Sequence, residues 1–307
     1  MKDNMVFGQK ELFYSIAELN LHIKLPVDFD KELVLSSFDP FEVSPAEANH
    51  IISEIEVINE SNGFDLDQGK LLSNESIFWG DRFRFYEYED SYSAVLQTED
   101  YQHVCTMVCN KDFSKVTIKH PGHQYYKEDV LSWLLMVVFA QAGLLHSTIL
   151  LHASVVEDGT YAYAFLGKSG TGKSTHSRLW LNNFEDFQLL NDDNPAIRKN
   201  NDQQVYVYGT PWSGKTSCYR NIKRELKGIV RLQQAKTNEY INQSNKDKLI
   251  ALLPSCSAIR WNPHLFSAMT AVVVHVANEV PVGLLNNLPN NEAAMLCYNN
   301  INHTKLA

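Results

Sequence analysis

The sequence predicts an α/β protein with a β-rich front domain and a second domain built around a glycine-rich loop. Residues 122–307 alternate between strand-like and helix-like segments, as sheets covered by helices do. A complete glycine-rich motif stands between a strand-like run and a helix-like run within 161–181. Residues 1–121 are dominated by short runs of alternating, β-branched and aromatic residues, which predict strands with some helix, an α+β arrangement.

The composition is that of a globular chain with an uneven charge. Of the 307 residues, 44% are hydrophobic and 21% are charged, which is enough apolar material for a core and excludes a disordered protein. The net charge of −9 argues against a nucleic-acid partner. Residues 1–120 hold 10 Lys and Arg against 22 Asp and Glu, while the remainder hold 17 against 14. This shift predicts a domain boundary at 121/122.

The front domain, residues 1–121, is predicted to be mostly strand. Strand-like runs occupy 11–25, 81–89, 91–99, 103–110 and 115–120. Ser44–Asn59 has the apolar spacing of one amphipathic helix opened by Ser44-Pro45. Cys105 and Cys109 are interpreted as one face of a strand, because no second pair of ligands completes a zinc site. The domain carries no catalytic constellation, and its role stays open.

The second domain, residues 122–307, begins with a helical pattern at 127–146. Its apolar run, Val130–Leu145, has 16 residues, fewer than the roughly 20 that span a bilayer. We therefore predict a buried helix and no membrane partner. The strand-like segments that follow are 148–156, 161–166, 187–191, 205–208, 229–232, 271–276 and 282–285, and the helix-like ones are the run through 181, 247–253 and 292–299.

The cysteines and the N-terminal residues predict a cytoplasmic location. The chain has five cysteines, an odd number without a CxxC pair, which is typical of reduced thiols. Its first residues lack the apolar run of a signal peptide.

The glycine-rich motif at 167–174 predicts a nucleotide-binding loop. Its glycines let backbone N–H groups turn toward phosphate oxygens, and the following helix adds its positive N-terminal end. Lys173 is expected to reach the β- and γ-phosphates, and the Ser174 hydroxyl to bind Mg²⁺. The residues expected to contact the nucleotide are Gly167, Lys168, Ser169, Gly170, Thr171, Gly172, Lys173, Ser174 and Thr175.

A second string of the same form occurs at 209–216, but its chemistry differs. Pro211 removes a backbone donor, and Trp212 adds bulk where phosphate would sit. We expect this loop to lie beside the first site, with Lys215 facing the γ-phosphate or an acceptor substrate, or else to be a surface loop with a packed Trp. Trp212, Lys215 and Arg220 are candidate substrate contacts.

Three polar residues complete the candidate site. Asp192 and Asp193 follow the strand-like 187–191, and phosphoryl transfer to a hydroxyl needs one carboxylate for Mg²⁺ and one for the hydroxyl proton. A turn is the alternative for this segment, since it is rich in turn formers. His152 lies in an apolar run and has a catalytic role only if it reaches Asp192; otherwise it is a core histidine.

Taken together, the segments LLHASVV, LGKSGTGKST and LLNDD resemble HPr kinase/phosphorylase and the ATP-dependent phosphoenolpyruvate carboxykinases, which share one nucleotide-binding fold. The resemblance covers 127–235, about a third of the chain, and implies a phosphoenolpyruvate carboxykinase-like P-loop domain. It implies phosphate and Mg²⁺ binding by Lys173 and Ser174. By the same resemblance, Asp192 matches the general base, Asp193 the Mg²⁺ ligand, and His152 the active-site histidine before the loop.

The acceptor half of these families is not matched. HPr kinases carry a later Glu-x-Arg-Gly motif, whereas this chain has Arg224-Glu-Leu-Lys-Gly without the Arg-Gly pair. The carboxykinases are much longer and bring further Lys, His and Arg residues that have no placed counterpart in this chain. The sequence therefore names neither the acceptor nor a reverse phosphorylase activity. The hexamers of HPr kinase leave a homo-oligomer open.

Three functions follow as expectations. The first is a kinase that uses ATP and Mg²⁺ to phosphorylate a hydroxyl, on a protein or peptide serine or on a small molecule such as serine. The second is a carboxykinase-type lyase, and the third is an ATP-binding regulator without turnover. The presence of both Asp192 and Asp193 favours the kinase. A basic cluster after Trp212 could receive an anionic acceptor: Arg220, Lys223, Arg224, Lys227 and Arg231.

Overall fold

A computed structural model describes residues 8–60, 69–74, 82–97, 103–122, 130–214 and 216–303. The fold is mixed α/β, and the chain divides into two compact units, Met1–Ala142 and Gly143–Ala307. Helix α2 (Val130–Ala142) belongs to the first unit. The boundary at 121/122 that the charge pattern suggests stays a prediction.

The first unit is built on an eight-stranded sheet, as the alternating runs of its sequence predict. Its order is β1-β2-β3-β8-β7-β6-β5-β4; the β2–β3 and β3–β8 pairs are parallel and the others antiparallel. Cys105 and Cys109 are both buried on β7, confirming that they share a strand face. The strands are β1 (Gln9–Ile16), β2 (Leu19–Pro26), β3 (Ile51–Asn59), β4 (Lys70–Ser73), β5 (Arg82–Glu87), β6 (Ser91–Gln97), β7 (Val104–Asn110) and β8 (Lys115–His120).

The predicted helix at 44–59 is wrong, because its second half is strand β3. Ser53, Ile55 and Val57 are buried while Glu54 and Glu56 are exposed, a period of two. The isoleucines and the valine of this segment are β-branched and favour a strand. The other helices in the described part of this unit are α1 (Lys31–Val34) and the 3₁₀ helix Ser36–Phe41.

α2 is a largely buried helix of 13 described residues, and it ends at Ala142, four residues before the predicted end at 146. Residues 123–129 lie outside the described residues, and Gly143–His146 forms a 3₁₀ turn. In the part of the chain that the structure describes, no helix combines the length and the apolar character that a membrane crossing requires.

The second unit is built on a nine-stranded sheet with the order β12-β10-β11-β15-β14-β13-β9, in which β17 also pairs with β15, and β16 pairs with β17. The long strand β15 meets β14 along its first part and β17 along its second. The strands are β9 (Thr148–Leu150), β10 (Ala153–Glu157), β11 (Tyr161–Leu166), β12 (Gln188–Asn191), β13 (Ala196–Lys199), β14 (Val205–Tyr208), β15 (Lys223–Gln234), β16 (Glu239–Asn242) and β17 (Val282–Asn287).

Two predictions for this unit are wrong. The single strand at 148–156 is broken at Leu151-His152, because β9 pairs with β13 while β10 pairs with β11 and β12. The strand at 271–276 lies inside a 17-residue helix whose buried positions recur at helical spacing. The helices are α3 (Lys173–Asn183), α4 (Asn245–Leu252), α5 (Pro263–Glu279) and α6 (Asn291–His303), with a 3₁₀ turn at Leu253–Ser255.

An aromatic cluster fixes the position of α3 on this sheet. Trp180 is fully buried, and its ring lies 5.2 Å from each of Phe165, on β11, and Phe187, beside β12. Tyr298 of α6 approaches the same ring at 5.5 Å. Because the helix that follows the glycine-rich loop is anchored in this way, the direction of its N-terminus is fixed.

Candidate functional site

The candidate residues lie at one edge of the second unit's sheet. β11 is parallel to β15, and β15 is parallel to β17, so all three strands end at this edge. β10 runs antiparallel to β11 and to β12, so β10 begins there and β12 ends there. The edge therefore presents His152, which precedes β10, the glycine-rich loop, which follows β11, and the Asp pair, which follows β12. Ligands of α/β sheets bind at such edges.

The glycine-rich loop leads directly into α3. Gly172 is the N-cap of the helix and has a φ of +100°, a conformation that glycine adopts without strain. A glycine has no side chain with which to satisfy the first N–H groups of the helix, so these remain to bind an anion. Lys168, Ser169 and Thr175 are exposed beside them. Phosphate binding by this loop stays a prediction from its motif, and the start of α3 is open to an anion.

Lys173, His152 and Asp193 form a continuous hydrogen-bonded chain. Lys173 Nζ lies 2.8 Å from His152 Nε2 and donates to the Gly167 carbonyl at 3.1 Å. His152 Nδ1 lies 2.9 Å from Asp193 Oδ1. Because an ammonium group only donates, Nε2 accepts and Nδ1 carries the proton that is donated to Asp193. We call this arrangement the Lys173–His152–Asp193 chain.

The electrostatics of Lys173 reflect this position. Burial lowers the pKa of Lys173 below its usual range, and the carboxylates of Asp193 and Asp192 oppose that shift. The two carboxylates thus favour the charged ammonium with which a lysine binds phosphate.

Asp192 lies deeper than Asp193 and receives two hydroxyl groups. It is 9% exposed. Ser154 donates to its Oδ1 at 2.6 Å, and Thr216, an exposed residue, donates to its Oδ2 at 2.7 Å. The Ser154 hydroxyl also lies 2.6 Å from that of Ser177 on α3. These contacts hold one carboxylate oxygen inside the fold and leave the other within reach of a hydroxyl group at the surface.

The second glycine-rich string is attached to the Asp segment. The Asp192 amide donates to Ser213 Oγ at 3.1 Å, and the Asn194 amide donates to the Trp212 carbonyl at 3.1 Å. Trp212 itself is buried. The string therefore lies beside the first site as a support for the carboxylates. Lys215 lies outside the described residues.

Arg220 is held away from the Lys173–His152–Asp193 chain. It donates to the Leu189 carbonyl at 2.6 Å and pairs with Glu157 at 2.9 Å. Glu157 ends β10, at the opposite end of that strand from His152, and Arg224 joins the same carboxylate at 2.8 Å. Arg220 therefore belongs to a polar cluster that links β10, β12 and β15.

The oxygen donors at the loop fit Mg²⁺. No group of three or more His, Cys, Asp and Glu side chains within the described ranges is arranged to hold a metal alone, but Mg²⁺ is usually bound by one or two carboxylates together with phosphates. The Ser174 hydroxyl and the Asp193 carboxylate are hard oxygen donors. Gly214, with a φ of +57°, packs so closely that an added Cβ would lie 2.9 Å from Asp193 Cβ. A residue with a Cβ at position 214 would therefore push the Asp193 side chain out of its position.

The sequence motifs identify the ionisable groups of the site but miss their hydroxyl partners. Ser154 contacts Asp192 from β10, and Ser213 and Thr216 contact it from the string at 209–216. The one signal for Ser154 is its spacing: it stands two residues after His152 at the start of a strand, where alternate residues share a face.

No protein-family model matches the chain, and no curated protein matches it in sequence. A structure of the HPr(Ser) kinase/phosphatase from Coxiella burnetii is similar over 49% of this chain and 86% of that chain, with 12% sequence identity and a TM-score of 0.31.

Proposed function

We propose that this chain is an ATP- and Mg²⁺-dependent kinase that transfers the γ-phosphoryl group to a hydroxyl acceptor, in the manner of HPr kinases. The acceptor is a protein or peptide serine or a small molecule such as serine. The observation that carries the proposal is the Lys173–His152–Asp193 chain, which ends beside Asp192 at the N-terminus of α3. Its second domain would then be a phosphoenolpyruvate carboxykinase-like P-loop domain.

The phosphates would be bound by the loop and by α3. The N–H groups after Gly172 donate hydrogen bonds to phosphate oxygens. The Lys173 ammonium stabilises the negative charge that develops on the γ-phosphoryl group. Mg²⁺, when bound through Ser174 and Asp193, supplies charge neutralisation for the triphosphate. His152 positions Lys173 against Asp193 through its two ring nitrogens, so the ammonium is already oriented before a nucleotide arrives.

Asp192 is the proposed base. As the acceptor oxygen forms its bond to the γ-phosphorus, the bond from that phosphorus to the β–γ bridging oxygen breaks and ADP leaves. The acceptor's hydroxyl proton passes to Asp192 Oδ2. This oxygen already accepts a hydrogen bond from the Thr216 hydroxyl, so its position suits a hydroxyl donor. Ser154, bound to the other oxygen, keeps the carboxylate oriented.

Removal of the ammonium tests the phosphate site. Lys173→Ala is expected to lower transfer of label from γ-labelled ATP into acceptors of a lysate of the source cell by at least ~10²-fold, as loss of a preorganised charge donor does. Lys246→Ala changes an exposed lysine of α4 and is the matched control, with full activity expected. Circular dichroism checks that both variants fold. Phosphotransfer that is unchanged in Lys173→Ala would overturn the proposal.

Removal of the base tests the second half of the reaction. Asp192→Asn keeps the side-chain shape, and we expect transfer to fall by about 10²-fold or more while Mg-ATP binding is retained. Single-turnover transfer and equilibrium ATP binding, measured on the same preparation, separate the two effects. A variant that transfers at the wild-type rate would mean that another group takes the hydroxyl proton.

A further inference from the structure

One hydroxyl group of this chain already lies where the proposed reaction needs its acceptor. Thr216 Oγ1 donates a hydrogen bond to Asp192 Oδ2, and the two oxygens are 2.7 Å apart. In the proposed kinase Asp192 is the base, and a base must lie within hydrogen-bond reach of the proton that it takes. The Thr216 hydroxyl meets that requirement before any other acceptor arrives.

Thr216 differs in exposure from the two serines that contact the same aspartate. Ser154 donates to Asp192 Oδ1, and Ser213 Oγ accepts from the Asp192 amide. Both serines are buried, so a phosphoryl donor has no access to their hydroxyl groups. Thr216 is exposed. Of these three hydroxyl groups, that of Thr216 is therefore the one that can be modified.

The aspartate is also fixed to the helix that is expected to bind the phosphates. The Ser154 hydroxyl lies 2.6 Å from that of Ser177 on α3. Because Ser154 gives its proton to the Asp192 carboxylate, Ser177 donates to Ser154. Ser177 stands four residues after Lys173, one turn along the same side of α3. One carboxylate oxygen is thus tied to the Lys173 side of α3, and the other holds Thr216.

On the basis of the proposed function, we propose that Thr216 is an autophosphorylation site of this chain. Thr216 Oγ1 forms a bond to the γ-phosphorus of ATP, the bond from that phosphorus to the β–γ bridging oxygen breaks, and ADP leaves. The hydroxyl proton passes to Asp192 Oδ2. The transfer takes place within one molecule, because acceptor and base are in contact within one chain. It ends when each molecule carries one phosphoryl group, since phosphothreonine has no hydroxyl left to react.

Incubation of the full chain with γ-labelled ATP and Mg²⁺, without an added acceptor, tests this site. The chain is first treated with a protein phosphatase, which is then removed. We expect label to accumulate to one phosphoryl group per molecule, and peptide mass spectrometry to place it on Thr216. The labelling rate per molecule should not change when the protein concentration is varied, as for any transfer within one molecule.

Two substitutions at position 216 identify the acceptor atom. Thr216→Val keeps the shape of the side chain without its hydroxyl, and we expect no label at this position. Thr216→Ser restores a hydroxyl, so the label should change from phosphothreonine to phosphoserine, which a merely structural role of the residue would not produce. Ser217→Ala removes the exposed hydroxyl of the next residue and is the matched control. It should be labelled on Thr216 as the wild type is.

A third variant tests whether Asp192 takes the proton of Thr216. In Asp192→Asn the side-chain amide cannot act as a base, and self-labelling should slow by about 10²-fold or more. Equilibrium binding of Mg-ATP and circular dichroism check that the variant still binds the nucleotide and folds. Self-labelling of Asp192→Asn at the wild-type rate would overturn the assignment.

Three further results would overturn the autophosphorylation site: a wild-type chain that labels acceptors of a lysate but not itself, label confined to the glycine-rich loop at 167–174, or a rate per molecule that rises with protein concentration. The kinase proposal fails by a different result, in which neither the chain nor any lysate acceptor is labelled. If Thr216 is labelled while no separate acceptor is found, the autophosphorylation site stands and transfer to another molecule does not.

Discussion

At position 176 a neutral imidazole is enclosed between Phe165, at 4.7 Å, and Trp180, at 6.4 Å between ring centroids. Burial lowers the pKa of His176 from 6.5 to about 4 in the folded state. Between these values the unfolded chain binds a proton and the folded chain does not, so acidification favours unfolding. The contribution of His176 to the free energy of unfolding is therefore unchanged above pH 6.5. It decreases as the pH falls from 6.5 toward 4.

A pH series on two proteins isolates this contribution. We expect the wild type to lose up to about 1.4 kcal/mol per pH unit more than His176→Gln across this window. Glutamine can still accept from Trp180 Nε1 but does not titrate. Chemical denaturation at steps between pH 7 and pH 4.5 gives both slopes. Equal slopes for the two proteins would mean that His176 is protonated in the folded state as readily as in the unfolded one.

Single residues were predictable where a motif fixes their chemistry. Lys173 and Ser174 follow from the glycine-rich string, and Asp192 and Asp193 from two carboxylates after a strand. The partners that orient them are not local: Ser154 and Asp192 are 38 positions apart in the chain. No short-range pattern specifies such a pair, because it arises only when β10 and β12 are side by side.

At the scale of elements, a buried carboxylate joins three strands of the second unit. Glu157 is 3% exposed and pairs with Arg220 and Arg224. Burial opposes its ionisation, but the Gly159 amide and the two arginines outweigh that effect and hold the pKa of Glu157 below its usual range. Because this folded-state pKa is lowered, the stabilisation is present above about pH 4.5 and is lost as the pH falls through the folded value.

Glu157→Ala is expected to lower the free energy of unfolding by about 2–4 kcal/mol, since it leaves two guanidinium groups without their carboxylate. Glu225→Ala removes a half-buried glutamate from β15, next to Arg224, and is the matched control, with a change below about 1 kcal/mol. Urea unfolding followed by circular dichroism compares them. If the two variants lose the same stability, the cluster does not join the strands as described.

Elements were predicted well where the local pattern is unambiguous. β11 and β14 occupy the predicted residues, and α3 begins at the expected loop. β3 was mistaken for helix because isoleucines at 51, 52, 55 and 58 satisfy a helical spacing, and its strand form depends on pairing with β2 and β8. Within α5 the β-branched run resembles a strand, yet Asn262 caps a helix that Pro263 opens. Pairing with other strands therefore decides the form of β3, and helix capping decides that of α5.

At the scale of the whole molecule, the sequence indicates a β-rich front part and an α/β second part, but not the order of strands in either sheet. That order depends on pairings such as Tyr161 with Glu225, which join distant parts of the chain. The charge split remains informative: the part with the glycine-rich loop has 17 basic against 14 acidic residues, while residues 1–120 hold most of the acidic charge. A small polyanion suits the second part better than the first.

Binding of such a polyanion should stabilise the second unit selectively. A ligand that binds only the folded state adds RT ln(1 + [L]/Kd), about 2.7 kcal/mol at a hundredfold excess over Kd. Mg-ATP is therefore expected to raise the unfolding temperature of the wild type and to leave Lys173→Ala unshifted. Hydrogen exchange should place the protection at 167–176 and 191–193, with no change in strands β1–β8. A shift of equal size in Lys173→Ala, or protection confined to the first unit, would show that ATP binds elsewhere and that the edge beside β11 is not its site.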